Sequence, residues 1–317
     1  MNSPHLKNEG WLYGLAFLIA IALRFIQLGA APLTDSEATL ALQALHLAQG
    51  QSPLLAPQTA YILFTSLFFA ILESTNFMAR ILPALAGSAL VFVPYVFREK
   101  LKPRPALILA FLFAIDPGLV ALSRLSGGTI LAVTFLLFAW GMWTNRHLTA
   151  AGIFLGLALL SGPSIWSGFL ILGLTWLFLR GMNPKPTADQ QPLTDDQQSE
   201  QPDSIVNRKS EIVNRNILIP LITTLLLAGT LFFTAPNGLS AALASIPAYL
   251  KGWVSPSTMT TGRTLLTFAA YEGLGIALAI FSLIRGFRTN SKRILRLSLW
   301  LVVALLLATF YRQTNEL

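Results

Sequence analysis

Gln58-Thr59-Ala60-Tyr61-Ile62-Leu63-Phe64-Thr65-Ser66-Leu67-Phe68-Phe69-Ala70-Ile71-Leu72-Glu73 is the stretch on which the fold turns. It is apolar but short: as a helix at ~1.5 Å per residue it reaches about 24 Å, less than a ~30 Å hydrocarbon core. If it crosses a bilayer, every later segment changes sides. Charge decides between the two topologies. With the N-terminus cytoplasmic and 58–73 not crossing, the inner loops hold Lys7, then Arg98, Lys100, Lys102 and Arg104, then Arg146. Behind these come Arg180, Lys185, Arg208, Lys209 and Arg215, and finally Arg285, Arg288, Lys292, Arg293 and Arg296. These make 16 of the 22 basic residues. A crossing at 58–73 reverses that bias, so the segment reads as an interfacial or re-entrant helix.

The rest of the composition agrees with a membrane setting. The chain of 317 residues is 54% hydrophobic and 11% charged, which excludes an ordinary water-soluble surface. Apolar stretches at 11–29, 78–97, 105–122, 129–144, 148–163, 165–180, 216–235, 264–284 and 297–311 give about nine spans. The fold class expected is therefore an all-α polytopic membrane protein, with about nine transmembrane helices and interfacial helices in the first outer loop. No small-residue cleavage site follows the first apolar run, so that run reads as a retained helix. Cys is absent, which removes disulfides and thiolate metal sites. The net charge of +8 lies in short loops between apolar runs, a pattern of membrane orientation and not of a nucleic-acid groove.

Three parts follow. Residues 1–182 form an N-terminal membrane module with a first outer loop at 30–77. Residues 183–215, rich in Gln, Asp, Pro and Asn, read as a disordered cytoplasmic linker. Residues 216–317 carry the C-terminal helices and an outer loop at 236–263, within which 239–253 suits an amphipathic interfacial helix.

Leu33-Thr34-Asp35-Ser36-Glu37 places two carboxylates at the start of the outer loop. Thr34-x-x-Glu37 matches a capping box, with Glu37 reaching back to the cap amide. Asp35 suits the helix dipole but is not needed by the cap. Both acids thus have a structural reading beside a catalytic one, and that of Asp35 is the weaker. His46, further along, reads as an interfacial histidine. Arg24, Arg80, Arg124 and Arg263 fall near outer ends of spans against the charge rule. They either snorkel to the interface or meet an anionic headgroup. Glu272 lies about two turns inside an apolar run, where an acid is a functional candidate or is paired across a helix interface.

These motifs in order resemble the GT-C class of membrane glycosyltransferases, which includes protein O-mannosyltransferases, aminoarabinose transferases and oligosaccharyltransferase catalytic subunits. The resemblance covers most of residues 11–180. It rests on Arg24 with Leu28-Gly29 and Pro32-Leu33, on Asp35-Ser36-Glu37-Ala38, and on Ala79-Arg80-Ile81-Leu82-Pro83-Ala84-Leu85-Ala86-Gly87. Asp116-Pro117 and Ser123-Arg124-Leu125-Ser126-Gly127-Gly128 complete it, and Tyr271-Glu272 is similar to a Tyr-Glu element of bacterial and archaeal members. The resemblance implies a polyprenyl-phosphate sugar donor and an acceptor reached from the outer face of a prokaryotic plasma membrane. It implies Asp35 as general base, Glu37 as an acceptor-orienting or metal-coordinating acid, and Arg24, Arg80, Arg124, Arg263, Tyr271 and Glu272 on substrate. A divalent cation (Mg or Mn) at Asp35 and Glu37 is the cofactor it allows; an acid usual in the second outer loop of the class is missing at Gly127-Gly128. A partner subunit, or a non-catalytic member that binds lipid or scaffolds a complex, is the alternative. A transporter is a third reading, suggested by the break Ser161-Gly162-Pro163-Ser164.

Overall fold

The computed structural model describes residues 9–182, 203–254, 273–289 and 299–304, with single positions at 262, 266, 270 and 307. The regular elements described are helical. In chain order they are α1 (Glu9–Phe25), α2 (Asp35–Ala48), α3 (Thr59–Ile71), α4 (Asn76–Ala89), α5 (Val93–Val96), α6 (Arg98–Leu101), α7 (Pro103–Ile115) and α8 (Pro117–Ser123). They continue with α9 (Thr129–Thr144), α10 (Leu148–Leu160), α11 (Ser164–Met182), α12 (Asp203–Gly229), α13 (Asn237–Leu243), α14 (Ser245–Val254) and α15 (Gly273–Thr289).

The expectation of about nine spanning helices is overturned. Among the described residues one helix, Asn76–Val96, is long and apolar enough to cross a membrane, and the bent pair α7–α8 would make a second if counted as one span. The reason is helix continuity. The 105–122 run is broken by a 54° bend at Asp116, whose carboxylate accepts the Leu119 amide at 2.7 Å and so starts a new helix with Pro117 in its first turn. The runs at 11–29 and 148–163 shorten to 17 residues in α1 and 13 in α10, and the 129–144 run, α9, is itself only 16 residues long. At ~1.5 Å per residue those give roughly 20–26 Å. Residues 58–73 form α3, 13 residues long and buried around most of its first two turns.

The chain divides into two compact units, mainly 1–165 with 216–255, and 166–215 with 256–315. The boundaries between these units fall inside α11 and α12. Within the first unit, α3 supplies Tyr61, Ile62 and Leu63 to a core shared with Leu40 and Ala44 of α2, Ala86 of α4 and Leu131 of α9. A second core joins α1 and α7 through Tyr13, Ala16, Ala20, Ala110 and Ala114. Small residues on both helices allow close approach. The 239–253 segment is two short helices, α13 and α14, with Tyr249 and Trp253 in edge contact. In the second unit, Trp166 packs against Phe169 within α11.

Pro83 lies inside α4, and a proline cannot donate to the carbonyl four residues earlier. That carbonyl belongs to Ala79, and the Tyr61 hydroxyl donates to it at 2.8 Å. The α3 helix thus repairs the defect that proline makes in α4.

Candidate functional site

The capping box read from the sequence is present. The Glu37 amide donates to Thr34 Oγ1 at 3.4 Å, and the Thr34 amide donates to Glu37 Oε2 at 2.9 Å. Glu37 does more than cap. Arg80 donates to it through Nε to Oε1 at 2.9 Å and through Nη2 to Oε2 at 2.8 Å, a bidentate pair with both side chains almost fully buried. The Ser126 amide adds a third tie, to Oε1 at 2.7 Å. One carboxylate therefore joins the start of α2, the first turns of α4 and the loop after α8. Burial pushes the Glu37 carboxyl up, but the hydrogen bonds from Arg80, Thr34 and Ser126 and the Arg80 charge outweigh it and hold the group at about 2.

The same arginine donates to the carbonyls of Leu28 at 3.1 Å, Ala31 at 2.9 Å and Pro32 at 3.0 Å. Arg80 thereby fixes the backbone that leads into Asp35. Arg24 and Arg124 behave alike. Arg24, fully buried, donates through Nη1 to Ala114 O at 2.9 Å and through Nη2 to Phe113 O at 3.0 Å. Phe113 O has lost its helical donor to Pro117. Arg124 donates through Nη1 to Leu23 O at 2.9 Å and Ile26 O at 2.8 Å, and through Nη2 to Gln27 O at 3.3 Å, closing the end of α1. Arg24 and Arg124 reach carbonyls at helix ends, where a cation also suits the dipole, and Arg80 reaches carbonyls of the 28–32 stretch that follows α1. These contacts are with the protein's own backbone.

Asp35 stands apart. It is exposed at the first position of α2, its own backbone carbonyl accepts Thr39 Oγ1 at 2.8 Å, and its carboxylate makes no hydrogen bond or ion pair among the described residues. The structure therefore brings Glu37 and Arg80 together, joins Arg24 and Arg124 at the end of α1, and leaves Asp35 exposed. Arg263, Tyr271 and Glu272 lie outside the described residues. The two acids do not fit a divalent metal. Glu37 Oε1 already takes two donors and Oε2 takes three, Arg80, the Thr34 amide and the Thr34 hydroxyl at 3.1 Å. A carboxylate so saturated has no lone pair left to offer a cation. Among the described residues no group of three or more His, Cys, Asp or Glu gathers in metal-binding positions.

Sequence reasoning missed Ser126 and Gln58 as parts of this site. Gln58 Oε1 accepts the Gly128 amide at 2.6 Å, so α3 and the 126–128 loop are locked together. The stretch Ser126-Gly127-Gly128 carried the signal: Gly128 is where a Cβ would collide with the Ser161 carbonyl, so only glycine admits that approach. No family model, curated protein or solved structure matches the chain.

Proposed function

We propose that the chain is a membrane-bound glycosyltransferase that moves a sugar from a polyprenyl-phosphate donor to an acceptor hydroxyl, with Asp35 as general base. The observation that carries the reading is the contrast between the two acids. Glu37 is locked and buried, while Asp35 projects from a helix start whose approach is held by six arginine and amide hydrogen bonds. A base needs an accessible carboxylate on a well-held backbone, and the exposure of Asp35 beside the anchored start of α2 supports that role. In the reaction the Asp35 carboxylate takes the acceptor O–H proton. The acceptor oxygen bonds to the anomeric carbon as the bond from that carbon to the phosphate oxygen breaks, and the polyprenyl phosphate leaves with the electron pair. The motif order from Arg24 to Gly128 that resembles membrane glycosyltransferases supports the reading. So does apolar surface open to a lipid phase, including Trp11, Leu18, Ile26, Ile71 and Ile108.

The test is transfer by the purified full chain in detergent. Polyprenyl-phosphate hexoses and pentoses, radiolabelled in the sugar, serve as donors, with total membrane lipid, glycan and protein as acceptors. Product is expected from the wild type and about a hundredfold less from Asp35→Asn, the lower range for losing a positioned base. Equal rates for the two proteins would remove Asp35 from the chemistry. A second reading, a non-catalytic lipid-binding member, is favoured by one observation. Arg24, Arg80 and Arg124 are committed to carbonyls and leave no guanidinium fork among them for a leaving phosphate. Co-purified polyprenyl phosphate with no transfer from any donor would select it.

A further inference from the structure

Just past the end of α12, Leu231, Phe232 and Phe233 hold φ of +47°, +54° and +69° in succession. Helices commonly close on a single left-handed residue, usually glycine, because a Cβ crowds the backbone there. Here three residues that carry side chains adopt that conformation in a row. Two of them are phenylalanines, 66% and 71% exposed. Backbone strained in this way persists only where its surroundings determine it.

The determining bonds use every amide of the turn. Leu231 donates to Ala228 O at 3.3 Å, Phe232 to Leu227 O at 2.7 Å and Phe233 to Thr230 Oγ1 at 3.0 Å. Thr234 donates to Leu231 O at 3.2 Å and Ala235 to Thr230 O at 2.8 Å, while Pro236 has no amide hydrogen. The Thr234 hydroxyl also turns inward, to Leu231 O at 2.6 Å. From 231 to 236 no hydrogen-bond donor is left for water to satisfy. Irregular backbone enters an apolar phase at low cost only when its polar groups are matched within the protein. Across a cavity of about 220 Å³ the turn faces the 50–55 loop, with Leu231, Ala235 and Pro236 on one wall and Leu47, Pro53 and Leu55 on the other. That loop is fixed as well: Leu55 is buried, and Gln43 Oε1 accepts the Ala56 amide at 2.8 Å. Its tip, Leu54, is 94% exposed. Neither 49–58 nor 227–250 contains an Asp, Glu, Lys or Arg, so no charge opposes burial of either tip in an apolar phase.

We propose that these two loop tips insert into a lipid surface, with Phe232 and Phe233 as a rigid wedge and Leu54 on the facing loop. The three side chains project from loops and do not line a groove. A protein partner needs a surface shaped to receive them, whereas a fluid apolar phase does not. The exposed Ile222 and Leu226 extend apolar surface back along α12. The inference rests on the membrane-bound part of the function proposed above and is independent of sugar transfer.

The chain has no cysteine, so a single introduced thiol reports on one place at a time. Phe233→Cys and Leu54→Cys are labelled with a nitrobenzoxadiazole dye in the full chain, held in phosphatidylcholine nanodiscs. Leu85→Cys, on the helix long and apolar enough to cross a membrane, and Lys100→Cys, exposed in α6, serve as controls. Quenching is measured with a lipid carrying a nitroxide near its headgroup and with aqueous iodide. The labels at 233 and 54 are expected to emit further to the blue than the label at 100, to lose fluorescence to the nitroxide and to resist iodide. Iodide quenching at 233 and 54 equal to that at 100, with no effect of the nitroxide, overturns the proposal. Shielding of both labels from both quenchers overturns it too, and shows that protein covers the turn. In either case nitroxide quenching at 85 keeps the membrane setting and removes only the wedge, whereas no nitroxide quenching at any position removes both. If Phe233→Cys does not fold, Leu54→Cys, outside the strained turn, decides alone.

Discussion

Replacing Glu37 by Gln removes one charge from the junction of α2, α4 and the 126–128 loop while keeping its shape. In the wild type both oxygens accept from Arg80, and the Ser126 and Thr34 amides complete the set. A glutamine offers one accepting oxygen and turns an NH2 toward donors already there, so the buried Arg80 keeps its charge without its partner. Breaking one side of a buried ion pair costs about 3–5 kcal/mol. The three carbonyls that Arg80 also reaches soften this, which places the expected loss near the lower end, about 3 kcal/mol. The pH dependence gives a second estimate. The carboxyl is held at about 2 against an ordinary value of 4.5, and at ~1.4 kcal/mol per tenfold this corresponds to about 3 kcal/mol. Because the folded value is depressed, that stability is present in full above pH 4.5 and is lost as the pH falls toward 2. Unfolding of the full chain in mixed detergent, measured from pH 7 down to pH 2 for the wild type and Glu37→Gln, checks both numbers. The difference between the two proteins is expected to be near 3 kcal/mol at pH 7 and to shrink through the acid range. A loss under about 1 kcal/mol, the scale of an exposed pair, or a difference that does not change with pH, refutes the reasoning.

Tyr61→Phe strips the Ala79 carbonyl of its donor and is expected to cost about 1–3 kcal/mol in unfolding free energy. In a Pro83→Ala background the residue-83 amide can donate to that carbonyl, so a double-mutant cycle is expected to show a much smaller cost for the same change. Gly152→Val forces a side chain into the Ile217 carbonyl, and unfolding experiments are expected to show destabilisation of about 1–3 kcal/mol or more, with Gly152→Ala less affected. Asp35→Asn touches no hydrogen bond made by the carboxylate, so its unfolding midpoint is expected to match the wild type within about 0.5 kcal/mol; a large shift would show a structural role for Asp35.

Local chemistry was readable in advance and distant chemistry was not. Thr34 and Glu37 are three residues apart, and a capping box is a pattern of short spacing, so it could be seen in the chain alone. Arg80 meets Leu28 across 52 positions, Arg24 meets Ala114 across 90 and Arg124 meets Leu23 across 101, and no periodicity announces such pairs. The position of Arg24, Arg80 and Arg124 against the charge pattern is visible in the chain, but their carbonyl partners depend on packing. The span count failed for a different reason. Apolar composition measures how willing a segment is to leave water, whereas spanning also needs an unbroken helix. Asp116-Pro117 combines a strong N-cap with a residue suited to a helix start, and that pair alone divides the 105–122 run.

The three guanidinium groups also set an order of assembly during synthesis. When α1 and the backbone up to Pro32 have been made, the carbonyls of Leu28, Ala31 and Pro32 still lack the Arg80 donors they have in the finished fold. Arg80 arrives about fifty residues later to serve Leu28, Ala31 and Pro32, and Arg124 arrives about a hundred residues later to close α1. At ~5–20 residues per second the interval before the last closure is roughly 5–20 s. Throughout it the α1–α2 junction is an unfinished structure that solvent, lipid headgroups or a chaperone must cover. A nascent chain halted before Ser126 therefore carries Asp35 on a helix held by Thr34 and Arg80 but still without the Ser126 tie to Glu37.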